Sequence, residues 1–209
     1  MDNKMSRIVL SIAGACFLAA GMAFALTSSP QKPPTRPAEA KPRVANVTTD
    51  SLEAAQKAGR EIATFGGGCF WCTERDFRKV AGILAADVGY TGGKVENPTY
   101  EMVLSKTTGH VEVTRVDFDP KVISYRDVVR AFFKMHDPTQ VNRQGPDVGE
   151  QYRSVIYYYT PDQKRIAEEV KAEVQKTLPR PIATTIEPAA KYWRAEEYHQ
   201  QYYQKMGIG

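Results

Sequence analysis

Residues 61–74 read Glu-Ile-Ala-Thr-Phe-Gly-Gly-Gly-Cys-Phe-Trp-Cys-Thr-Glu. The β-branched and aromatic content of Glu61–Phe65 predicts a strand. Gly66-Gly67-Gly68 then lets the backbone turn sharply with no side chain covering the residues after the turn, and a helix is expected from Phe70 to about Val80. Cys69 falls at the start of that helix, where unpaired N–H groups and the positive end of the dipole favour a thiolate. That is one of the ways a cysteine pKa is lowered. Phe70 and Trp71 set a flat apolar wall beside the sulfur, which suits a substrate with a small apolar group at its reacting centre.

Outward from this stretch, strands and helices alternate. A short helix is expected in SLEAAQKA, with the folded domain beginning near Asp50. Ile83–Tyr90 reads as a strand stopped by Gly92-Gly93. Pro98-Thr99 opens a short helix through Ser105. His110–Phe118 reads as a strand whose alternation slips near Arg115, as at a bulge. Ser124 caps a helix from Tyr125 to about Met135, with Val128, Val129, Phe132 and Phe133 along one face. A long connection, Asp137–Gln151, precedes a strand over Ser154–Tyr159, where Tyr157, Tyr158 and Tyr159 read as strand packing. Thr160-Pro161 starts a helix through Lys176. Ala183–Glu187 is the expected last strand and Ala195–Lys205 the last helix. This order predicts an α+β domain, a two-layer sandwich with a mixed sheet.

Charge and composition limit the function. Of 28 basic and 24 acidic residues, the surplus lies before residue 49, and the remaining 22 basic and 22 acidic residues cancel over 49–209. The folding part therefore has no basic footprint for nucleic acid. Lys4 and Arg7 precede an apolar run from Ile8 to Leu26, with the small-residue site Ala23-Phe24-Ala25 near its end. Residues 1–26 read as a signal peptide or, uncleaved, as a membrane anchor; lipid attachment at Cys16 is the weakest of three readings. Residues 27–48 carry five prolines and read as a semi-rigid linker. The expected organisation is thus leader, linker and a catalytic domain over 49–209, extracytoplasmic or membrane-anchored.

With Cys16 in a leader, Cys69 and Cys72 are the two remaining cysteines. They cannot staple a fold of this size. They are a redox pair, a metal half-site or a coincidence, and the residues alone leave this open. A zinc site needs about four ligands, and His110, His136 and His199 show no paired spacing, so no metal is expected.

Gly68-Cys69-Phe70-Trp71 with Glu74 resembles the signature of peptide methionine sulfoxide reductase, the A type. The likeness continues in order through Gly89–Gly93, Asn97–Tyr100, Thr108–Glu112, His136–Gln140, Arg143–Gly149, Gln151–Ser154 and His199–Tyr202. The resemblance implies a ferredoxin-like core and an enzyme reducing the S epimer of methionine sulfoxide, free or in oxidised proteins. It implies that Cys69 attacks the sulfoxide sulfur and Glu112 protonates the oxygen. Tyr100 and Tyr152 would hydrogen-bond that oxygen, with Asp147 lining the same pocket. Phe70 and Trp71 would hold the S-methyl group. Cys69 would become a sulfenic acid, and a thioredoxin-like protein would be the reductant, with no cofactor.

The chemistry runs parallel to this. A sulfoxide oxygen leaves only if protonated, so a carboxyl neutral near pH 7 is needed, and burial supplies one. Glu112 sits among Val111, Val113 and Val116 in the expected strand. Glu74, by contrast, is accounted for by the dipole of the first helical turn and is given no catalytic role. Many members of the family carry resolving cysteines in a C-terminal tail. Here the last residues are Met206-Gly207-Ile208-Gly209, so Cys72 is the expected resolving thiol. Two rivals stand beside this reading: a general thiol–disulfide oxidoreductase using C-x-x-C, and a membrane-tethered binding module.

Overall fold

The computed structural model describes residues 51–208. The leader and linker expected over residues 1–48 lie outside the described residues. Among the described residues, no helix is long and apolar enough to cross a membrane.

Six strands form one mixed sheet. In chain order the elements begin with α1 (Leu52–Lys57), β1 (Glu61–Gly66), α2 (Phe70–Phe77), β2 (Ile83–Thr91), α3 (Tyr100–Leu104), β3 (Val111–Phe118) and α4 (Tyr125–Met135). A small hairpin, β4 (Arg143–Gln144) and β5 (Asp147–Val148), leads through a 3-10 turn at Glu150–Tyr152 into β6 (Val155–Tyr158). Then come α5 (Pro161–Gln175), β7 (Thr185–Pro188), β8 (Trp193–Arg194), a second 3-10 turn at Glu197–His199, and α6 (Tyr202–Lys205). The strand order is β7-β6-β1-β3-β2-β8, with β6 and β7 parallel and all other neighbours antiparallel.

The helices form where the sequence supplies caps and an apolar stripe. Ser124, Thr99, Thr160 and Ser51 each accept a hydrogen bond from a backbone N–H in the first turn of α4, α3, α5 and α1. On α4, Tyr125, Val128, Val129, Phe132 and Phe133 repeat at helical spacing and are all buried. They pack on Phe65 and Ala63 of β1, Val116 and Phe118 of β3, Ile156 of β6 and Ala167 and Val170 of α5. Full burial of one such large side chain contributes about 1.5–3 kcal/mol. On the opposite face, Val111, Val113, Val155 and Tyr157 are covered by Ala189 and Tyr192 from the C-terminal part of the chain. The result is the expected α+β sandwich, with the sheet buried on both sides.

Three expectations about elements are corrected. Strand β3 runs in unbroken register against β1, so there is no bulge at Arg115. The irregularity lies on β2, between Ile83 and Ala85. The alternation of β3 fails for another reason: both of its faces are covered, and Arg115 is its one partly exposed residue, set over the ring of Tyr192. Second, β7 is not the last strand, because Trp193 and Arg194 add an edge to β2. Third, Ala195–Lys205 is not one helix. The side chain of Gln200 accepts from the Val88 N–H and donates to the carbonyls of Val88 and Ala195. Gln201 is left-handed at φ 53°, and these two residues divide a 3-10 turn from the four residues of α6. The long connection Asp137–Gln151 likewise holds the hairpin β4–β5.

Candidate active site

The turn from β1 into α2 needs its glycines for specific reasons. Gly68 has φ +93°, and a Cβ there would lie 2.5 Å from Cβ of Gln144. A Cβ on Gly67 would lie 2.9 Å from the ring of Phe132. The chain thus passes between α4 and the β4–β5 hairpin with no room for side chains, and delivers Cys69 as the N-cap of α2. The Cys69 carbonyl accepts from the N–H groups of Cys72 and Thr73, and the Thr73 hydroxyl meets that of Thr114 on β3 at 2.6 Å. Both cysteines are free thiols, each partly exposed.

The two sulfurs behave as one acid–base unit. The side-chain hydrogen bond from Cys69 lowers Cys72 to about 6, aided by the Tyr203 hydroxyl and the charge of Arg75 and opposed by burial and Asp76. The same hydrogen bond to Cys72 raises Cys69, as do burial and the charges of Cys72 and Glu112. The first proton therefore belongs to the pair, and the thiolate it leaves is shared between two sulfurs one helical turn apart at the start of α2.

Glu112 lies on β3, 1% exposed. Burial raises its carboxyl to about 8, with smaller upward contributions from Asp147 and Cys72. The Phe70 N–H donates to its Oε2 at 3.2 Å and opposes the shift. Its Oε1 is buried and has no partner among the described residues. Tyr152, at the end of the first 3-10 turn, is raised to about 12 by burial, then by the charges of Glu112, Asp147 and Cys69. Tyr100, the first residue of α3, is raised by burial and by Glu112, Tyr152 and Cys69. Cys69, Glu112, Tyr100, Tyr152 and Asp147 come from separate parts of the chain and lie within electrostatic reach of one another: Glu112 and Cys69 act on both tyrosines, and Asp147 acts on Glu112 and Tyr152. The structure brings them all together.

Phe70 and Trp71 take different places. Phe70 is 1% exposed and forms the back of an aromatic cluster, with ring centroids 5.2 Å from His199, 5.8 Å from Tyr90 and 6.3 Å from Tyr100. Trp71 carries the accessible surface. It stacks on Tyr202 at 4.0 Å and donates from Nε1 to Nδ1 of His199 at 3.0 Å. Glu196 fastens the cluster, accepting from the Tyr90 hydroxyl at 2.9 Å and the Tyr100 N–H at 3.0 Å.

Several residues here escape sequence reasoning. Gln144, His199, Gln200, Gln201 and Tyr202 fall in blocks marked only by their resemblance, and Glu196 and Tyr203 carry no local signal. Glu74 is corrected outright. It lies beyond the first turn of α2, is 1% exposed, and is raised to about 7 by burial. Both of its oxygens accept from the Gln201 N–H, at 3.0 and 2.8 Å. The helix dipole does not account for it; it binds the C-terminal segment. Among the described residues, no three His, Cys, Asp or Glu side chains gather as a metal site.

Residues 61–208 match the family model described as peptide methionine sulfoxide reductase. The chain is 54% identical over 151 residues to the peptide methionine sulfoxide reductase MsrA of Geobacter sulfurreducens, covering 71% of this chain and 93% of that one. Its structure resembles the reduced form of Mxr1 from Saccharomyces cerevisiae, with a TM-score of 0.70 and 38% identity over 73% of this chain and 88% of that one. It also resembles Mxr1 solved in complex with Trx2, with a TM-score of 0.52 and 26% identity, covering 75% and 90% of the two chains.

Proposed function

This chain belongs to the peptide methionine sulfoxide reductase family, and from that premise we propose that it reduces the S epimer of methionine sulfoxide, free or in oxidised proteins, through Cys69. Cys69 attacks the sulfoxide sulfur as the thiolate of the cysteine pair, the remaining proton staying on Cys72. Glu112 donates a proton to the sulfoxide oxygen, while the Tyr100 and Tyr152 hydroxyls steady that oxygen by hydrogen bonds. Asp147 lines the pocket, Trp71 covers the S-methyl group and Phe70 backs it. Methionine leaves, and Cys69 carries the oxygen as a sulfenic acid. Cys72 then displaces that oxygen as water, giving a Cys69–Cys72 disulfide.

The observation that carries this reading is Glu112. A carboxyl held neutral at pH 7 by burial, with one oxygen tied to the Phe70 N–H and the other without a partner among the described residues, is the acid that a poor leaving group requires. The Trx2 complex of the yeast relative supports a thioredoxin-type protein as the reductant of the disulfide. An extracytoplasmic location is supported by the sequence of residues 1–26 alone.

The test is a single turnover of reduced protein with each sulfoxide epimer separately and no reductant. The S epimer should yield one methionine per chain, and the tryptic peptide spanning residues 61–75 should lose two hydrogens. Cys72→Ser should also release one methionine, keep the added oxygen, cycle with dithiothreitol and stall with thioredoxin. Full thioredoxin-driven cycling of Cys72→Ser would remove Cys72 from the mechanism, and equal reduction of the R epimer would remove the epimer assignment.

A further inference from the structure

The resolving step has a chemical difficulty that the first step lacks. Before substrate binds, the two cysteines share one thiolate. Once Cys69 is a sulfenic acid, Cys72 is left as a thiol. It must become a thiolate to attack. Two groups remain beside it: the Tyr203 hydroxyl, 3.5 Å from Sγ, and Arg75, whose guanidinium lies 5.2 Å over the Tyr203 ring. Arg75 is shared with Asp76 at 2.8 Å, so its charge is partly engaged.

Tyr203 is not there by chance of a loose tail. Three anchors fix the chain just before it. Gln200 makes three hydrogen bonds to the Val88 and Ala195 backbone. The Gln201 N–H sits on both oxygens of buried Glu74. Tyr202 stacks on Trp71. Glu74, Trp71 and Cys72 all belong to α2, so the helix that carries the resolving thiol also clamps the segment that carries the hydroxyl.

We propose that Tyr203 is a catalytic residue of the resolving step, its hydroxyl holding the Cys72 sulfur as a thiolate poised to attack oxidised Cys69, with Glu74 as the positioning residue that sets it there. This rests on the reading of Cys72 as the resolving thiol. In the step, the Cys72 thiolate attacks the Cys69 sulfur, a sulfur–sulfur bond forms and the Cys69 sulfur–oxygen bond breaks. The proton released by the Cys72 thiol ends on the departing oxygen, which leaves as water. Cys72 is oxidised and Cys69 reduced, with no outside reductant. Tyr203 donates a hydrogen bond and keeps its proton. The charged and titratable groups facing Cys72 are Cys69, Tyr203, Arg75, Asp76 and Glu112. Of these, Tyr203 offers the hydroxyl donor that the reaction does not consume, since Glu112 gives up its proton in the first step and the hydroxyl of oxidised Cys69 is the leaving group.

The experiment compares wild type and Tyr203→Phe, which keeps the ring over Arg75 and removes the hydroxyl. Reduced protein is mixed with methionine sulfoxide, quenched with a maleimide at intervals, and the disulfide counted by mass from about pH 5 to 9. Tyr203→Phe should still release one methionine per chain, which shows the fold and first step intact. Its disulfide formation should be about tenfold slower near pH 6, with the midpoint moved up by roughly one pH unit, the scale of losing a hydrogen bond to a charged group. The rates should converge near pH 9, because a thiolate freed of its donor is intrinsically the better nucleophile. Glu74→Ala should show the same shift, and Glu74→Gln, which retains an acceptor for the Gln201 N–H, a smaller one. An unmoved midpoint in Tyr203→Phe, or a loss equal at every pH, overturns the role of Tyr203 while leaving the Cys69–Cys72 disulfide standing. Absence of that disulfide in wild type removes the resolving reading and this inference together.

Discussion

At position 112, burial keeps one carboxyl protonated near pH 7. Burial raises Glu112 to about 8, and the cysteine pair loses its first proton at about 6. The proposed first step needs the acid protonated and the pair ionised. Methionine release in a single turnover should therefore follow a bell in pH, rising near 6 and falling near 8. Glu112→Gln should lower that rate by about two to four orders of magnitude and lose the falling limb. A Gln variant that works normally at pH 7, or keeps the limb, would assign the acid elsewhere. How much of this the sequence discloses depends on how local each residue's role is. Cys69 announces itself through the glycines before it and the helix after it, whereas Glu112 reads by itself as an outward-facing strand residue and is selected by the resemblance, its valine neighbours making only an apolar setting plausible. Tyr100 and Tyr152 are two of eleven tyrosines, and only the resemblance selects them. Tyr203 and Glu196 act through contacts about a hundred residues away in the chain, Cys72 and Tyr203 being 131 apart and Tyr90 and Glu196 106 apart, so nothing in their neighbourhood marks them.

Among the elements, α2 works because of how the chain enters it. Gly68 holds φ +93° with Gln144 packed where a Cβ would go. Gly68→Ala meets both a conformation that L side chains avoid and a contact of 2.5 Å with another Cβ. The variant should lose about 1–3 kcal/mol by thermal or denaturant unfolding, and methionine release should fall further than stability does, since Cys69 is the next residue. Wild-type activity in Gly68→Ala would show that the turn can shift without moving the sulfur. The elements whose boundaries are legible are those with local signals. Ser124, Thr99 and Thr160 cap their helices where expected, and the apolar stripe of α4 is complete. The C-terminal segment is illegible because helical propensity is the only signal there. The Gln200 side chain and the Glu74–Gln201 contact override it, and both partners lie on other elements.

At the scale of the molecule, the strand and helix order makes the α+β sandwich legible, because alternating elements can bury their faces only in layers. The covering of the sheet's second face is not legible, since residues 189–200 do it largely without regular structure. That covering has a consequence for pH. Glu74 is sealed beneath the C-terminal segment and raised from 4.5 to about 7 by burial. A carboxyl raised on folding favours the protonated, folded state. Its contribution is complete below about pH 4.5 and is lost as pH rises through about 7. His136, lowered to about 4 by burial, and Cys72, lowered to about 6, have the opposite sign. Their contributions are lost as pH falls towards those values, so the total stability of the wild type mixes both trends. Glu74→Gln separates them. The amide cannot ionise, its oxygen can still accept from the Gln201 N–H, and His136 and Cys72 are common to both proteins and cancel in the difference. Relative to wild type, the Gln variant should be near neutral at pH 4.5 and gain stability steadily to about pH 8. The ceiling is about 3 kcal/mol, at about 1.4 kcal/mol for each unit of pKa. Denaturant unfolding of both proteins at several pH values measures it. A difference that stays flat from pH 4.5 to 8 would mean that Glu74 ionises as easily folded as unfolded, and that water, not the C-terminal segment, surrounds it.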